Sequence, residues 1–158
     1  MEVRSRHYLR EDEADEIKSS IEEKLDVDLG DYRLEQIELE EDYDLLLADG
    51  EPLIMRFDGE YFVTVKGALE LRPEKATVTV DAGAVEFVTN GADVMRPGVV
   101  EADGGIDEGD LVVVKEENHD KPLAVGRGLT PGDDMVGDEG KVVESLHHVG
   151  DEIWEFEP

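Results

Sequence analysis

Apolar residues recur at spacings of three and four from Ala14 through Ile17 and Ile21 to Leu25, with charged residues between them. That period predicts a helix from Glu11 to Leu25 with one face turned to a core. Asp28-Leu29-Gly30-Asp31 breaks it, and residues 3–10 ahead of it suit a strand or an arm. Tyr32 to Glu40 alternates weakly, with Leu34 and Ile37 out of phase, and is read as a strand. Leu45 to Leu47, Leu53 to Phe57 and Tyr61 to Val65 are further strands, separated by Asp49-Gly50 and Asp58-Gly59, both favoured hairpin turns. A short helix over Val65 to Leu71 ends at Arg72-Pro73-Glu74-Lys75, where a domain boundary is expected.

The second half opens on a strand from Ala76 to Val80 and continues into the most informative stretch, Val80 to Gly98. Asp81 is a good N-cap, because its carboxylate can accept from unpaired N–H groups of a first helical turn. Ala84, Phe87 and Val88 then form an apolar stripe expected to face the core, and Asn90-Gly91 supplies a helix stop. Arg96 is expected to be held extended by the proline after it, with Pro97-Gly98 in a type II turn. Leu111 to Lys115 and Pro122 to Val125 flank a five-residue hairpin loop, Glu116 to Asp120. Thr130 to Glu139 is a polar, glycine-rich loop with a helical turn, and Val142 to Val149 with Glu152 to Phe156 is predicted as a closing hairpin through Gly150-Asp151. Many short strands with glycine-marked corners fit a small barrel.

The Val80–Gly98 stretch, followed in order by Glu108-Gly109-Asp110-Leu111-Val112-Val113-Val114, Pro122 to Gly128, Gly140-Lys141 and His148 to Trp154, resembles a PUA domain. PUA domains are small RNA-binding β-barrels found on pseudouridine synthases and archaeosine transglycosylases. With its N-terminal extension, the whole chain is similar to archaeal proteins related to the malignant-T-cell-amplified-sequence family, which act around the ribosome and tRNA. The resemblance implies an α+β protein: a pre-PUA α/β module over residues 1–73 and a PUA pseudo-β-barrel over 76–158. It also implies a groove between the helix-loop and the last strands, and partners such as the small ribosomal subunit or an initiation-factor-like protein.

Charge changes the picture. With 43 acidic against 15 basic residues the net charge is −28, spread over both halves with no acidic tail. One reading is a strongly basic partner or nucleic-acid mimicry; the other, which the even spread favours, is a carboxylate coat suited to the molar salt of a halophile. At about 1 M salt the screening length is only about 3 Å, so such a coat repels itself little. Nucleic-acid binders usually carry a basic patch, and the acidic total argues against one. Yet counterion release offers little in strong salt, so an RNA binder there depends on shape, stacking and backbone hydrogen bonds. Cysteine is absent, which excludes disulfides and thiolate metal sites. No signal core and no apolar run of membrane-spanning length is present, so a cytoplasmic protein is expected.

The expected RNA-binding loop is Gly91, Ala92, Asp93, Val94, Met95, Arg96, Pro97 and Gly98: bare backbone at the two glycines admits an RNA end, and Arg96 meets phosphate or a base edge. The plain alternative is that these glycines serve turn geometry alone. Lys141, His147 and His148 are possible walls of the groove, and Arg127 is a further scarce cation whose alternative is a structural ion pair. His147 and His148 are adjacent on a strand and point to opposite faces, so they cannot readily share a metal ion. Trp154 and Phe156 either stack a base or, more simply, close the barrel core; Met95 is equally a core filler. No nucleophile motif is present, and neither cofactor nor catalytic residue is expected. The expectation is a non-catalytic RNA-binding protein of translation, recognising the tRNA acceptor end or ribosomal RNA. The alternatives are an RNA-presenting subunit of a tRNA-modification complex, or an acidic protein-interaction module.

Overall fold

A computed structural model describes residues 1–158 and shows two antiparallel-rich sheets, one from each half of the chain. The first half runs β1 (Val3–Tyr8), α1 (Glu11–Leu25), β2 (Leu34–Leu39), β3 (Tyr43–Ala48), β4 (Glu51–Phe57), β5 (Glu60–Val63) and α2 (Val65–Leu71). Its strands form a meander in the order β1-β2-β3-β4-β5. Ala14, Ile17, Ile21 and Leu25 of α1 are buried, as their spacing predicts. Both Asp-Gly corners hold two successive residues at positive φ, Asp49-Gly50 (49°, 87°) and Asp58-Gly59 (52°, 79°), which matches the strand twist of tight hairpins. Thr64 caps α2: its hydroxyl accepts from the Gly67 N–H and donates to the Pro52 carbonyl.

The second half runs β6 (Thr77–Val80), α3 (Ala82–Thr89), β7 (Val94–Met95), a 3₁₀ turn (Arg96–Gly98), β8 (Val99–Ala102), β9 (Leu111–Glu116), β10 (Pro122–Gly128), a second 3₁₀ turn (Gly132–Asp134), β11 (Lys141–His148) and α4 (Glu152–Glu155). Its six strands lie in the order β7-β11-β10-β9-β6-β8, a nearly closed pseudo-barrel in which only β6 and β9 run parallel. The architecture is α+β, a sheet-and-helix module followed by the pseudo-barrel. No helix is long and apolar enough to cross a membrane.

Three expectations fail here. The closing hairpin is absent: Asp151 accepts from the Trp154 N–H and starts α4, so Glu152–Glu155 is a helical turn rather than a strand. Trp154 and Phe156 accordingly do not close the barrel. Both pack with Ile153 against the core of the first half, where the Lys66 ammonium sits 5.2 Å from the Trp154 ring centre. Third, β7 and β8, which the pattern did not predict, flank the Arg96–Gly98 turn.

The two halves share apolar residues. Leu111 and Val113 of β9, Val125 of β10 and Ile153 belong to the first half's core, whereas Val112, Val114, Leu123 and Ala124 fill the barrel. β9 is therefore apolar on both faces, as a strand walled on both sides must be. Two polar links cross the same seam. The buried His147 accepts from the Val65 N–H at 3.0 Å through Nε2, and Arg127 reaches Glu60 at 3.0 Å.

Candidate nucleic-acid interface

α3 is only eight residues long and gains little from propensity, so its position rests on its cap and one buried face. Asp81 Oδ1 accepts from the Ala84 N–H at 3.0 Å. Val88 is buried, with Ala84 and Val85 partly buried beside it against the barrel core. The buried face is thus rotated from the expected Ala84-Phe87-Val88 stripe. Phe87 is instead 65% exposed.

Between α3 and the β7–turn segment lies an open recess of about 350 Å³. Ala84, Phe87 and Val88 form its helical wall, and Val94, Met95 and Pro97 its opposite wall. Met95 stands 48% exposed. Two glycines make the narrow approach possible. Gly91, at φ 91°, ends the helix where a Cβ would come within 3.0 Å of His148 Nε2. Gly98 lies at the other end, where a Cβ would meet that of Ala84 at 3.2 Å. Gly98 does not have a positive φ, so the type II turn is replaced by the 3₁₀ turn, and its smallness serves close packing against α3.

The polar groups near the recess are largely committed. Lys141, opposite Met95 across the β7–β11 pair, is bound to Asp93 at 2.9 Å. Asp93 also accepts from the Ser145 N–H, and that bond together with Lys141 holds its carboxyl below the ordinary aspartate value. Asp93 in turn raises the Lys141 ammonium above its usual value. His148 donates from Nδ1 to the Val149 carbonyl at 2.9 Å, since a carbonyl can only accept; its Nε2 is turned toward Gly91.

Arg96 differs most from its expected position. It begins the 3₁₀ turn rather than extending, and its guanidinium donates to the carbonyls of Asp134 at 2.8 Å and Glu139 at 2.7 Å. It lies against Gly137 and Gly140 and ties down the loop before β11. Arg127 and His147 also lie apart from the recess. Arg127 faces the seam with the first half, bonded to Glu60 and to the Gly109 carbonyl at 2.7 Å. His147 points to the opposite face of β11 from His148: its Nδ1 donates to Asp151, which leaves Nε2 free to accept from Val65. The structure therefore brings Gly91 to Met95, Pro97, Gly98, Lys141 and His148 together around the recess and removes Arg96, Arg127 and His147, three of the five proposed cationic or ring contacts, from it. Phe87 is the residue that sequence reasoning missed; its signal was a position at the margin of a short stripe.

Residues 76–150 match the PUA domain, and residues 5–70 match a domain of unknown function, DUF1947. The fold and recess thus define a PUA protein preceded by this second region, and PUA domains bind RNA. The chain is 41% identical to an uncharacterized protein of Methanocaldococcus jannaschii, covering 99% of each. It is 31% identical to Translation machinery-associated protein 20 of Saccharomyces cerevisiae over 78% of this chain and 72% of the yeast protein. A crystal structure of a hypothetical protein from Pyrococcus horikoshii superposes with a TM-score of 0.87 at 32% identity, covering 96% of this chain and 98% of that one. The chain belongs to the family of Translation machinery-associated protein 20, which takes in the Drosophila melanogaster homolog of malignant T-cell-amplified sequence 1.

Proposed function

We propose that this protein binds RNA without chemistry in the service of translation, and that the recess between α3 and β7 receives an unpaired RNA end, with the tRNA acceptor end or an exposed stretch of ribosomal RNA as the ligand. The observation that carries this reading is an apolar recess with an exposed aromatic, Phe87, on a PUA fold whose remaining surface is acidic. Stacking suits such a place because every base has an apolar face, and it survives strong salt where phosphate pairing does not. The committed Arg96 and the Lys141–Asp93 pair leave the recess without a free cation, so shape and stacking supply the binding. His148 Nε2 is the polar group on offer to a ribose or a base edge, since the Gly91 N–H is given to the Val88 carbonyl and the Gly98 carbonyl accepts from the Asp81 N–H.

The test is a titration of intact tRNA and of tRNA lacking its 3′ unpaired nucleotides, in about 1 M potassium chloride. Trimming is expected to weaken binding about tenfold or more, and Phe87→Ala to do the same, in line with roughly 1–3 kcal/mol per stacked base. Equal affinity for the two tRNAs would exclude the acceptor end, and indifference of every RNA to Phe87→Ala would remove the recess from the proposal.

A further inference from the structure

The arginines of this chain are not scattered. Four of eight gather on or beside β1: Arg4 and Arg6 within it, Arg10 at the start of α1, and Arg33 with its guanidinium 3.7 Å from the centre of the Tyr8 ring. No acid occurs between Val3 and Arg10 in a chain with a net charge of −28. β1 is also an open edge. It pairs only with β2, all six of its residues are exposed, and its outward N–H and C=O groups meet no other strand.

Charged side chains on an edge strand commonly serve to repel other strands. Here the arginines would repel a second β1, which carries the same charges, but they leave the edge open to a strand of negative charge. An arginine-bearing edge on an acid-coated protein is instead selective for a negative strand. Two of the four guanidiniums are already paired, Arg6 with Glu35 at 2.9 Å and Arg10 with Glu13 at 3.2 Å. Arg4 and Arg33 make no ion pair, and Tyr8, 53% exposed, presents an aromatic face beneath Arg33.

We propose that β1 docks an extended acidic peptide of a protein partner, which adds as a further strand to the first sheet. Main-chain hydrogen bonds to the open edge supply affinity, and carboxylates at alternate positions meet Arg4 and Arg33. The regular row of main-chain donors and acceptors matches a polypeptide edge. RNA is the less suited occupant, since the local arginines are half neutralised and a polyanion depends on a surplus of positive charge. This surface is independent of the recess between α3 and β7, so either assignment stands or falls alone.

The test uses the full chain, shown to be folded by circular dichroism, and fluorescence-labelled short peptides alternating glutamate with threonine. The matched controls are a lysine-threonine peptide and a glutamate-threonine peptide N-methylated along one edge. The glutamate peptide is expected to bind at least about tenfold more tightly than either control, and Arg4→Glu combined with Arg33→Glu should abolish the preference, as strand addition with charge recognition requires. Both arginines are exposed, so the double variant should fold. Equal binding of the methylated peptide would overturn strand addition, and equal binding of the lysine peptide would overturn the charge selection. The proposal would also fall if a short oligoribonucleotide, rather than the peptide, bound with the same dependence on Arg4 and Arg33. Sedimentation showing that the chain dimerises through β1 would likewise overturn it, in favour of a second copy.

Discussion

Arg96 was expected to face RNA because it was a scarce cation beside a proline. In the fold it spans two main-chain carbonyls, of Asp134 and Glu139, and so serves the loop that precedes β11. Arg96→Ala is expected to destabilise the protein by about 1.5–3 kcal/mol, the scale for hydrogen bonds from a charged donor. Denaturant unfolding would measure this, and amide exchange should quicken over residues 134–140. Arg96→Lys should recover little, because a single ammonium lacks the planar fork that serves both carbonyls. Asp151 offers a pH test. Its burial alone would raise its carboxyl, but His147 and the N–H groups of Trp154 and His148 hold it below the ordinary aspartate value. A carboxyl depressed on folding contributes stability that is whole above the unfolded value, about 3.9, and is lost as pH falls through the folded one. The advantage of the native protein over Asp151→Asn should therefore be constant near neutrality and shrink below about pH 4. A constant difference down to acid unfolding would contradict this assignment.

At the scale of elements, strong periodicity and strong caps were legible. α1 shows its buried face in four residues, and α3 announces itself through Asp81, whereas the Thr64 cap of α2 emerges only in the structure. Short segments were not. Glu152–Phe156 alternates well enough for a strand, yet Ile153 and Phe156 are also one helical turn apart, and the Asp151 cap decides the matter. β7 has only two residues and exists because β11 lies beside it, which no local pattern can express. Phe87 shows the same limit: on a two-turn helix, the choice between Ala84-Phe87-Val88 and Val85-Val88 as the buried face is made by the barrel, not by α3 itself. Removing the two caps should separate their roles. Asp81→Ala should cost about 1 kcal/mol, typical of a lost N-cap, and should weaken RNA binding because α3 is one wall of the recess. Thr64→Ala should cost more, since Thr64 is buried and its loss also strands the Pro52 carbonyl. Thermal melts of both variants would establish the order.

For the whole molecule, the dominant quantity is the charge. Its even spread across both halves predicts that the unfolding midpoint rises with potassium chloride between about 0.1 and 1 M, as the screening length falls from about 10 to about 3 Å. A melting temperature unchanged over that range would show that self-repulsion of the coat is unimportant. The fold class was readable because glycine-anchored motifs recur in order. The positions of Arg127 and His147 were not, because each is explained by a contact with the other half of the chain: Glu60 lies 67 residues from Arg127, and Val65 lies 82 residues from His147.

That doubly walled ninth strand has a practical bearing on gene dissection. A fragment beginning after the Arg72–Lys75 connection would turn Leu111, Val113 and Val125 outward to water, an oily stripe on an otherwise acid-coated body. Such a fragment should clump on expression, and recombination that moved the barrel to a new host would have to bring another cover for the same stripe.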